Sequence, residues 1–202
     1  MNDTGPTELV AADIGGTHAR FCLARVGGGR VLALGEPVTL ATQDHASLQT
    51  AWEAFAARAG RPLPPAAAIA IAAPVEGDVI RFTNNPWVIQ PGLLAGRLGL
   101  AALCLVNDFE AIAHAVAQAD AGVLRHLCGP ATPLPGQGVI TVIGPGTGLG
   151  VALLHRLGAG HHVIATEGGH IDFAPTDAVE DAILARLRRR YRRVSVERIV
   201  SG

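Results

Sequence analysis

Apolar positions recur along this chain in two spacings, and each spacing predicts its own elements. Short apolar runs bounded by Gly, Pro or polar residues predict strands over residues 8–14, 19–26, 30–40, 66–73, 79–82, 101–106, 138–143, 150–157 and 162–166. Apolar residues three and four positions apart predict helices over residues 48–58, 91–98, 108–119 and 176–193, with a last helix beginning after Ser195. Ser47 is of a residue type favoured at helix N-caps, and glycine turns join the first three strands into a predicted antiparallel meander.

The order of these elements predicts a mixed α/β fold with two domains. Three strands come first, helices and buried strands then alternate, and a second group of strands follows. We place the boundary inside the helix that begins at Asp108. This gives a small domain over residues 1–116 and the first part of a second domain over residues 117–202.

The charged residues exclude several classes of function. The net charge is −1, so no overall field attracts nucleic acid or a membrane surface. All 16 basic residues are Arg, which excludes a Walker-A phosphate loop, a protein kinase and a Schiff-base enzyme, because each of these needs a Lys. The Arg-rich stretch over residues 186–193 predicts a solvated helix face, with binding to nucleic acid or an acidic surface as the alternative.

Cysteine usage and hydropathy favour a cytoplasmic protein. Cys22, Cys104 and Cys128 are widely spaced and form no CxxC pair, which favours reduced, buried thiols over a disulfide framework or a zinc site. The first residues lack the basic and apolar segments of a signal peptide. No apolar run reaches the roughly 20 residues of a membrane helix.

Two glycine-rich turns are candidates for phosphate binding. Asp13-Ile14-Gly15-Gly16-Thr17 lies between two predicted strands, and Gly144–Gly150 lies between two more. Glycines allow the backbone to approach a ligand closely and to aim amide N–H groups at an anion, and a carboxylate such as Asp13 can hold Mg²⁺ beside phosphates. The alternative for each stretch is an ordinary hairpin turn.

Asn107 and Asp108 follow a buried strand, where α/β sheets bind their ligands. The Asp108 carboxylate could take a proton from a substrate hydroxyl, and the Asn107 amide could both donate to and accept from sugar hydroxyls. The alternative is a helix N-cap, for which Asn and Asp are preferred residues.

Further polar groups could bind a polyol. Glu167-Gly168-Gly169-His170 places a carboxylate and an imidazole on one tight turn, which suits neighbouring hydroxyls of a pyranose ring. The alternatives are a surface turn and a metal pair, and a zinc site is disfavoured because no Cys cluster follows. Asn84 lies in an amide-rich loop before Trp87, which either contacts a sugar or is a turn anchored by the aromatic ring. Glu197 differs from these groups, because the residues alone indicate only a carboxylate at the start of the last predicted helix, near a capping site at Ser195.

In this order the motifs resemble those of the bacterial glucokinases, which form a hexokinase-like branch of the actin/Hsp70/sugar-kinase superfamily. The resemblance runs from Leu9 to Gly202. It rests on Asp13–Thr17 with Ala19-Arg20, Thr83-Asn84 with Trp87, Asn107-Asp108-Phe109, Gly144–Gly150, Glu167–Pro175 and Ser195–Gly202.

The resemblance implies a fold, a reaction and a set of site residues. The fold would be a ribonuclease-H-like mixed sheet with helices, and the reaction would be transfer of a phosphoryl group from ATP, with Mg²⁺, to the 6-hydroxyl of glucose. Asp108 would be the catalytic base that also contacts the sugar. The other sugar-binding residues would be Asn84, Asn107, Glu167, His170 and Glu197. The ATP phosphates would lie against Ala12, Asp13, Ile14, Gly15, Gly16, Thr17, Gly146, Thr147 and Gly148, with Asp13 holding Mg²⁺ directly or through water.

Glucokinases continue well beyond the position that matches Gly202, so the resemblance also implies a chain truncated within the second domain. Three alternatives stay open: a non-catalytic remnant that binds a sugar or a partner, a kinase of a related hexose, and polyphosphate in place of ATP as the donor. We expect the protein to bind a small sugar substrate, glucose, and to bind neither nucleic acid nor a membrane. Formation of a homodimer stays open.

Overall fold

Three β-sheets and five α-helices make up the chain in a computed structural model, which describes residues 5–82, 85–158 and 160–202. The chain divides into two units, Met1–Ala111 and Ile112–Gly202. The division falls inside a helix, α3 (Asp108–Gln118).

In the described residues of the first unit, eight strands and two helices precede α3. They are β1 (Thr7–Ile14), β2 (His18–Gly27), β3 (Arg30–Leu34), β4 (Val38–Ala41), α1 (Leu48–Ala59), β5 (Ala66–Ile71), β6 (Ile80–Arg81), β7 (Val88–Ile89), α2 (Pro91–Leu98) and β8 (Ala102–Asn107). The predicted mixed α/β class is confirmed.

The main sheet of the first unit brings the carboxyl ends of three parallel strands together. Its order is β3-β2-β1-β5-β8, and β4 pairs with the other half of β2. Ile14 at the end of β1 is in register with Ile71 at the end of β5, and Ile71 is in register with Asn107 at the end of β8. The turn after β1 and the start of α3 therefore lie at the same edge of the sheet.

The predicted third strand over residues 30–40 is wrong, because the structure has two separate strands there. Pro37 lacks an amide N–H and cannot donate to a ladder, and the Gly35 N–H instead donates to the Leu23 carbonyl at 2.8 Å. β3 pairs with the end of β2 and β4 with its beginning. The sequence does not predict β7, since two residues are too few to show a periodicity.

Helix α1 packs on the main sheet as its sequence predicts. Ser47 forms a capping box with Thr50, and Gly60 ends the helix at a φ of 64°. Phe55 stacks on Phe21 of β2 with ring centroids 5.3 Å apart, and Trp52 meets the same ring edge-on at 6.2 Å. Burial of these aromatic rings is a main source of cohesion for the first unit.

The second unit is built on a three-stranded antiparallel sheet. Its strands are β9 (Gly138–Pro145), β10 (Leu149–Leu157) and β11 (Gly160–Thr166), in the order β11-β10-β9, and its helices are α4 (Ala178–Arg188) and α5 (Glu197–Val200). Leu154 and Val163 are buried, whereas Val139, Ile143 and Ile164 are exposed. The apolar core of this unit is therefore thin.

The helix predicted to reach residue 193 ends at Arg188. Beyond it the chain pairs with an earlier segment, because the Phe173 N–H donates to the Val194 carbonyl at 3.0 Å and the Val196 N–H donates to the Ile171 carbonyl at 2.9 Å. An extended pairing of this kind is incompatible with helix. The expectation that the Arg-rich stretch is one solvated helix face is accordingly wrong for its last residues.

The expectation of buried thiols is also wrong for two of the three cysteines. Cys104 and Cys128 are exposed, and Cys22 is partly buried. Cys104 lies on β8, a strand at one edge of the main sheet, where alternate side chains are exposed. In the part of the chain that the structure describes, no helix is long and apolar enough to cross a membrane.

Candidate functional site

Two hydrogen bonds from Thr42 fix the turn between β1 and β2. The Thr42 hydroxyl donates to the Gly16 carbonyl at 2.7 Å, and the Thr42 N–H donates to the Thr17 carbonyl at 3.0 Å. The Gly15 N–H closes the turn on the His18 carbonyl at 2.9 Å. The amides of Gly16 and Thr17 make no hydrogen bond to any residue that the structure describes, so they are available to an anion.

Asp13 and Arg20 face each other across the same pair of strands. They are register partners on β1 and β2. An Arg20 Nη1 donates to Asp13 Oδ2 at 2.9 Å, with both side chains about half exposed. One Asp13 oxygen is thus held by a guanidinium, which leaves Oδ1 for a cation. Ala12 and Ile14 are buried, so their side chains do not reach a ligand, and only their backbone could contribute.

Asn107 caps the helix that Asp108 begins. Asn107 Oδ1 accepts from the amides of Phe109 at 2.9 Å and Glu110 at 3.3 Å, and its Nδ2 donates to the Ala73 carbonyl at 3.2 Å. The helix N-cap, which the sequence offered as the alternative to ligand binding, is thus present at Asn107. It uses the amide oxygen and one N–H, which leaves the second N–H for a ligand.

Asp108 is a half-buried carboxyl with one engaged oxygen. Its Oδ1 accepts from the Phe109 N–H at 2.9 Å. Burial raises the pKa of the Asp108 carboxyl above its ordinary value, and the negative charge of Asp13 raises it further, against the opposing effect of the Phe109 N–H. A carboxyl whose pKa is raised accepts a proton more readily than an exposed one.

The loop before β7 is anchored by Trp87, which is 2% exposed and donates from Nε1 to the His45 carbonyl at 2.8 Å. Asn85 Oδ1 accepts from the Trp87 N–H at 2.9 Å, and the buried Asn85 Nδ2 has no partner among the described residues. An unpaired buried donor is costly. Asn84, expected to contact the sugar, lies outside the described residues.

In the second unit, Glu167, His170 and Glu197 form a line of three titratable groups. His170 Nδ1 lies 3.7 Å from Glu167 Oε2, and His170 Nε2 lies 3.3 Å from Glu197 Oε1. A short 3₁₀ turn, Gly168–His170, holds the imidazole between the two carboxylates. Gly169 is required in this turn, because a Cβ there would lie 2.2 Å from the Leu149 carbonyl oxygen.

The turn between β9 and β10 lies directly against Glu197. Glu197 Oε2 accepts from the Leu149 N–H at 2.8 Å, and the Gly146 N–H donates to the Gly148 carbonyl at 2.8 Å. Thr147, at the tip, is exposed. The structure thus brings the residues predicted at the second phosphate turn into contact with one predicted at the sugar site.

Several supporting residues were missed by sequence reasoning. Arg193 donates from Nη2 to the His170 carbonyl at 2.9 Å and forms an ion pair with Asp172. The Thr166 hydroxyl donates to the Val151 carbonyl at 2.9 Å and accepts from the Gly168 N–H at 3.2 Å. These pairs are distant in sequence or carry no pattern, so no local signal marks them.

Beside Glu197 lies an open depression of about 230 Å³, lined by His170, Arg193, Ser195, Glu197 and Arg198. Ser195, after which the sequence predicts the last helix to begin, is buried, and its Oγ accepts from the Arg198 N–H at 3.4 Å, although the N-cap of that helix is Val196. Among the described residues no group of three or more His, Cys, Asp and Glu side chains has the arrangement of a metal site.

Known proteins resemble the chain over almost its whole length. The family model described as Glucokinase matches residues 10–202. A glucokinase of Zymomonas mobilis subsp. mobilis is 62% identical over 96% of this chain and 60% of its own length. The chain therefore spans about 60% of the length of this relative.

Solved structures show the same fold. A glucokinase from an Antarctic psychrotroph is 30% identical, with a TM-score of 0.81 over 96% of this chain and 61% of its own. A glucokinase from Balamuthia mandrillaris, solved in complex with glucose, has a TM-score of 0.70 at 23% identity, over 100% of this chain and 61% of its own. The family model covers nearly every residue, and on that ground the chain belongs to the glucokinase family.

Proposed function

We propose that the protein transfers the γ-phosphoryl group of ATP to the 6-hydroxyl of glucose. The observation that carries the proposal is Asp108, a half-buried carboxyl of raised pKa at the sheet edge where β1, β5 and β8 end. Membership of the glucokinase family and 62% identity to the Zymomonas mobilis glucokinase support the choice of donor and acceptor.

Asp108 acts as the general base in this reaction. The 6-oxygen attacks the γ-phosphorus, the bond from that phosphorus to the bridging oxygen breaks, and the hydroxyl proton passes to Asp108. Since Oδ1 is engaged by the Phe109 N–H, Oδ2 is the oxygen that receives the proton. General-base assistance of this kind typically contributes about 10²–10⁴-fold to the rate.

The two glycine turns hold the phosphates of the donor. In the first, the amides of Gly16 and Thr17 are available to phosphate oxygens, and Thr42 keeps the turn in place. In the second, Gly146, Thr147 and Gly148 present backbone and a hydroxyl. A Walker-A loop binds phosphate with backbone amides and a Lys side chain. This chain has no Lys, so the amides and hydroxyl of the two turns, together with the Arg20 guanidinium, donate the hydrogen bonds to phosphate.

Asp13 fits a Mg²⁺ ion that accompanies ATP. A single carboxylate oxygen is the kind of ligand that Mg²⁺ uses when it keeps several waters and also contacts phosphate, and Asp13 Oδ1 is not held by Arg20. The ion supplies charge neutralisation on the phosphates when bound. Arg20 balances the charge of Asp13 in its absence.

Glu167, His170 and Glu197 bind the hydroxyls of the sugar ring, together with Asn107 and Asn84. Carboxylates accept from hydroxyls, and the remaining Asn107 N–H donates to one. A site built to hydrogen-bond hydroxyls discriminates strongly against sugars that lack them, because its polar groups are then left unpaired.

The test is an enzyme-coupled assay of glucose 6-phosphate formation from glucose and MgATP. It is run on the 202-residue chain and on a longer chain that matches the full length of the glucokinase relatives. Turnover of glucose by either supports the proposal. Turnover of mannose or an amino-hexose in preference to glucose replaces the acceptor, and turnover with polyphosphate but not ATP replaces the donor. Sugar binding without turnover in both chains favours a non-catalytic protein and overturns the proposal.

A further inference from the structure

Glu197 divides its two carboxylate oxygens between two parts of the second unit. Oε1 lies 3.3 Å from His170 Nε2, on the side proposed for the sugar. Oε2 accepts from the Leu149 N–H at 2.8 Å, at the end of the glycine turn proposed for phosphate. The Glu197 side chain is 27% exposed, and these two contacts occupy both of its oxygens.

The segment that begins with Glu197 holds the glycine turn at both ends. Glu197 binds the N–H of Leu149 after the turn, and the Gly202 N–H donates to the Gly146 carbonyl at its beginning, at 2.9 Å. The Ser201 N–H donates to the Glu197 carbonyl at 3.0 Å, which closes the segment between these two anchors. Glu197 and the residues that follow it therefore contact both ends of the turn.

Gly148 shows how closely the carboxylate packs on the turn. A Cβ added at Gly148 would lie 2.8 Å from Glu197 Oε2, closer than van der Waals contact allows. The Gly148 φ is not in the left-handed region, so an Ala there meets no backbone strain. A methyl group at this position would therefore be accommodated by a shift of the Glu197 carboxylate, which is the end of a flexible side chain. Gly146 differs, since a Cβ there would meet only the Gly148 carbonyl oxygen at 3.9 Å.

We propose that Glu197 is a positioning residue that couples occupancy of the sugar side to the geometry of the second phosphate turn. The proposal rests on the proposed function, since it takes the ligand on the His170 side to be a hexose. A hexose hydroxyl that donates to Oε1 fixes the carboxylate in the orientation that also holds the Leu149 N–H. The phosphate turn is then ordered before the donor arrives, and by linkage an ordered turn orients the carboxylate for the hexose.

The coupling is tested from the phosphate side, with glucose affinity measured by titration calorimetry in the absence of any nucleotide. In Gly148→Ala the new methyl group displaces the Glu197 carboxylate, so we expect glucose to bind about tenfold more weakly. Gly136→Ala, in the second unit but outside both proposed binding turns and with nothing within 4 Å of an added Cβ, is the matched control and is expected to keep the glucose Kd.

A second measurement covers the case in which Gly148→Ala loses its fold, which thermal melting reveals. The coupling factor is the ratio of the dissociation constants of a non-hydrolysable ATP analogue without and with saturating glucose. We expect a factor of about five or more in the wild type. In Glu197→Gln we expect a factor close to one, because the amide has a single oxygen and cannot accept both from the Leu149 N–H and from a sugar hydroxyl. Asp181→Asn removes a carboxylate charge at an exposed position of α4, outside both proposed sites, and is expected to keep the coupling factor.

The outcomes separate the two proposals. If the wild type binds no glucose, the proposed function fails. If the wild type binds glucose and a folded Gly148→Ala binds it equally well, or if Glu197→Gln keeps the wild-type coupling factor, then Glu197 does not couple the two sides and this inference alone is overturned.

Discussion

The hydroxyl of Thr42 donates to the carbonyl oxygen of Gly16 at 2.7 Å, across 26 positions of sequence. Thr42 is 4% exposed, so the bond is sheltered from water. Gly16 belongs to the first proposed phosphate turn, whereas Thr42 follows β4 and touches no proposed ligand. The orientation of the turn therefore depends on a buried residue behind it.

Thr42→Val keeps the shape of this side chain and removes its hydroxyl. The backbone bond from residue 42 to Thr17 remains, so we expect the fold to persist with a loss of about 1 kcal/mol and a Tm lower by about 2–4 °C. The KM for ATP should rise about fivefold as the turn loosens. Thr39→Val, at an exposed position on β4, is the control for both measurements. An unchanged KM for ATP would show that the turn does not need this anchor.

Asp108→Asn tests the general base. The amide retains the size of the side chain and an oxygen for the Phe109 N–H, but it cannot take a proton. We expect kcat to fall by about 10²–10⁴-fold, while the Kd for glucose changes little. Glu110→Gln, one residue beyond Phe109, is the control and should keep kcat. An Asp108→Asn enzyme with wild-type kcat would assign the base elsewhere.

The same substitution has a predictable effect on stability. The pKa of Asp108 is raised in the folded protein, so the folded state holds its proton more tightly than the unfolded state. Below the ordinary Asp pKa of about 3.9 both states are protonated and the group contributes nothing. As the pH rises through the folded pKa, the ionised carboxylate destabilises the fold.

Asp108→Asn removes this destabilisation, and its Tm should therefore exceed that of the wild type at about pH 7. Because the carboxyl is only half-buried, solvent screening keeps the gain below about 1 kcal/mol, or less than about 2–4 °C. The difference should vanish as the pH falls toward about 4, which thermal melts over roughly pH 4–8 would show. A gain that is independent of pH would mean that charge is not its cause.

Local pattern predicted the helices and strands better than it predicted the site. The N-cap at Ser47 and the apolar face of α1 could be predicted, because capping and the 3.6-residue helical period depend on residues only a few positions apart. Thr42 and Arg193 carry no such signal, since their partners lie 26 and 23 positions away. Glu197 could be named only through the family resemblance. Its bond to the Leu149 N–H joins residues 48 positions apart, and no local pattern predicts it.

Glu167→Gln tests the sugar side of the second unit. The substitution replaces an acceptor-only carboxylate by an amide next to His170, so one sugar hydroxyl loses its ionic partner. We expect the KM for glucose to rise about tenfold with the KM for ATP nearly unchanged. Asp181→Asn, on an exposed position of α4, is the control. Unchanged KM and Kd for glucose would remove Glu167 from the sugar site.

Arg193 supports the turn that carries His170, and two neighbouring arginines allow the support to be tested. Arg193 donates to the His170 carbonyl and pairs with Asp172, whereas Arg192 is exposed and makes no side-chain hydrogen bond or ion pair among the described residues. Both side chains have the same charge and lie beyond the end of α4. Replacing either by Ala therefore changes the net charge equally, but only the replacement of Arg193 removes the bond to His170 and the ion pair with Asp172.

Arg193→Ala should raise the KM for glucose about three- to tenfold, because the His170 carbonyl loses a charge-assisted hydrogen bond. Such bonds contribute about 1.5–3 kcal/mol where they are partly buried, and they contribute less at an exposed position such as this one. Arg192→Ala should leave the KM for glucose at its wild-type value. If the two variants behave alike, the effect is one of overall charge, and the bond to the His170 carbonyl does not position the imidazole. If only Arg193→Ala weakens glucose binding, the Arg-rich stretch contributes to the sugar site through this one residue.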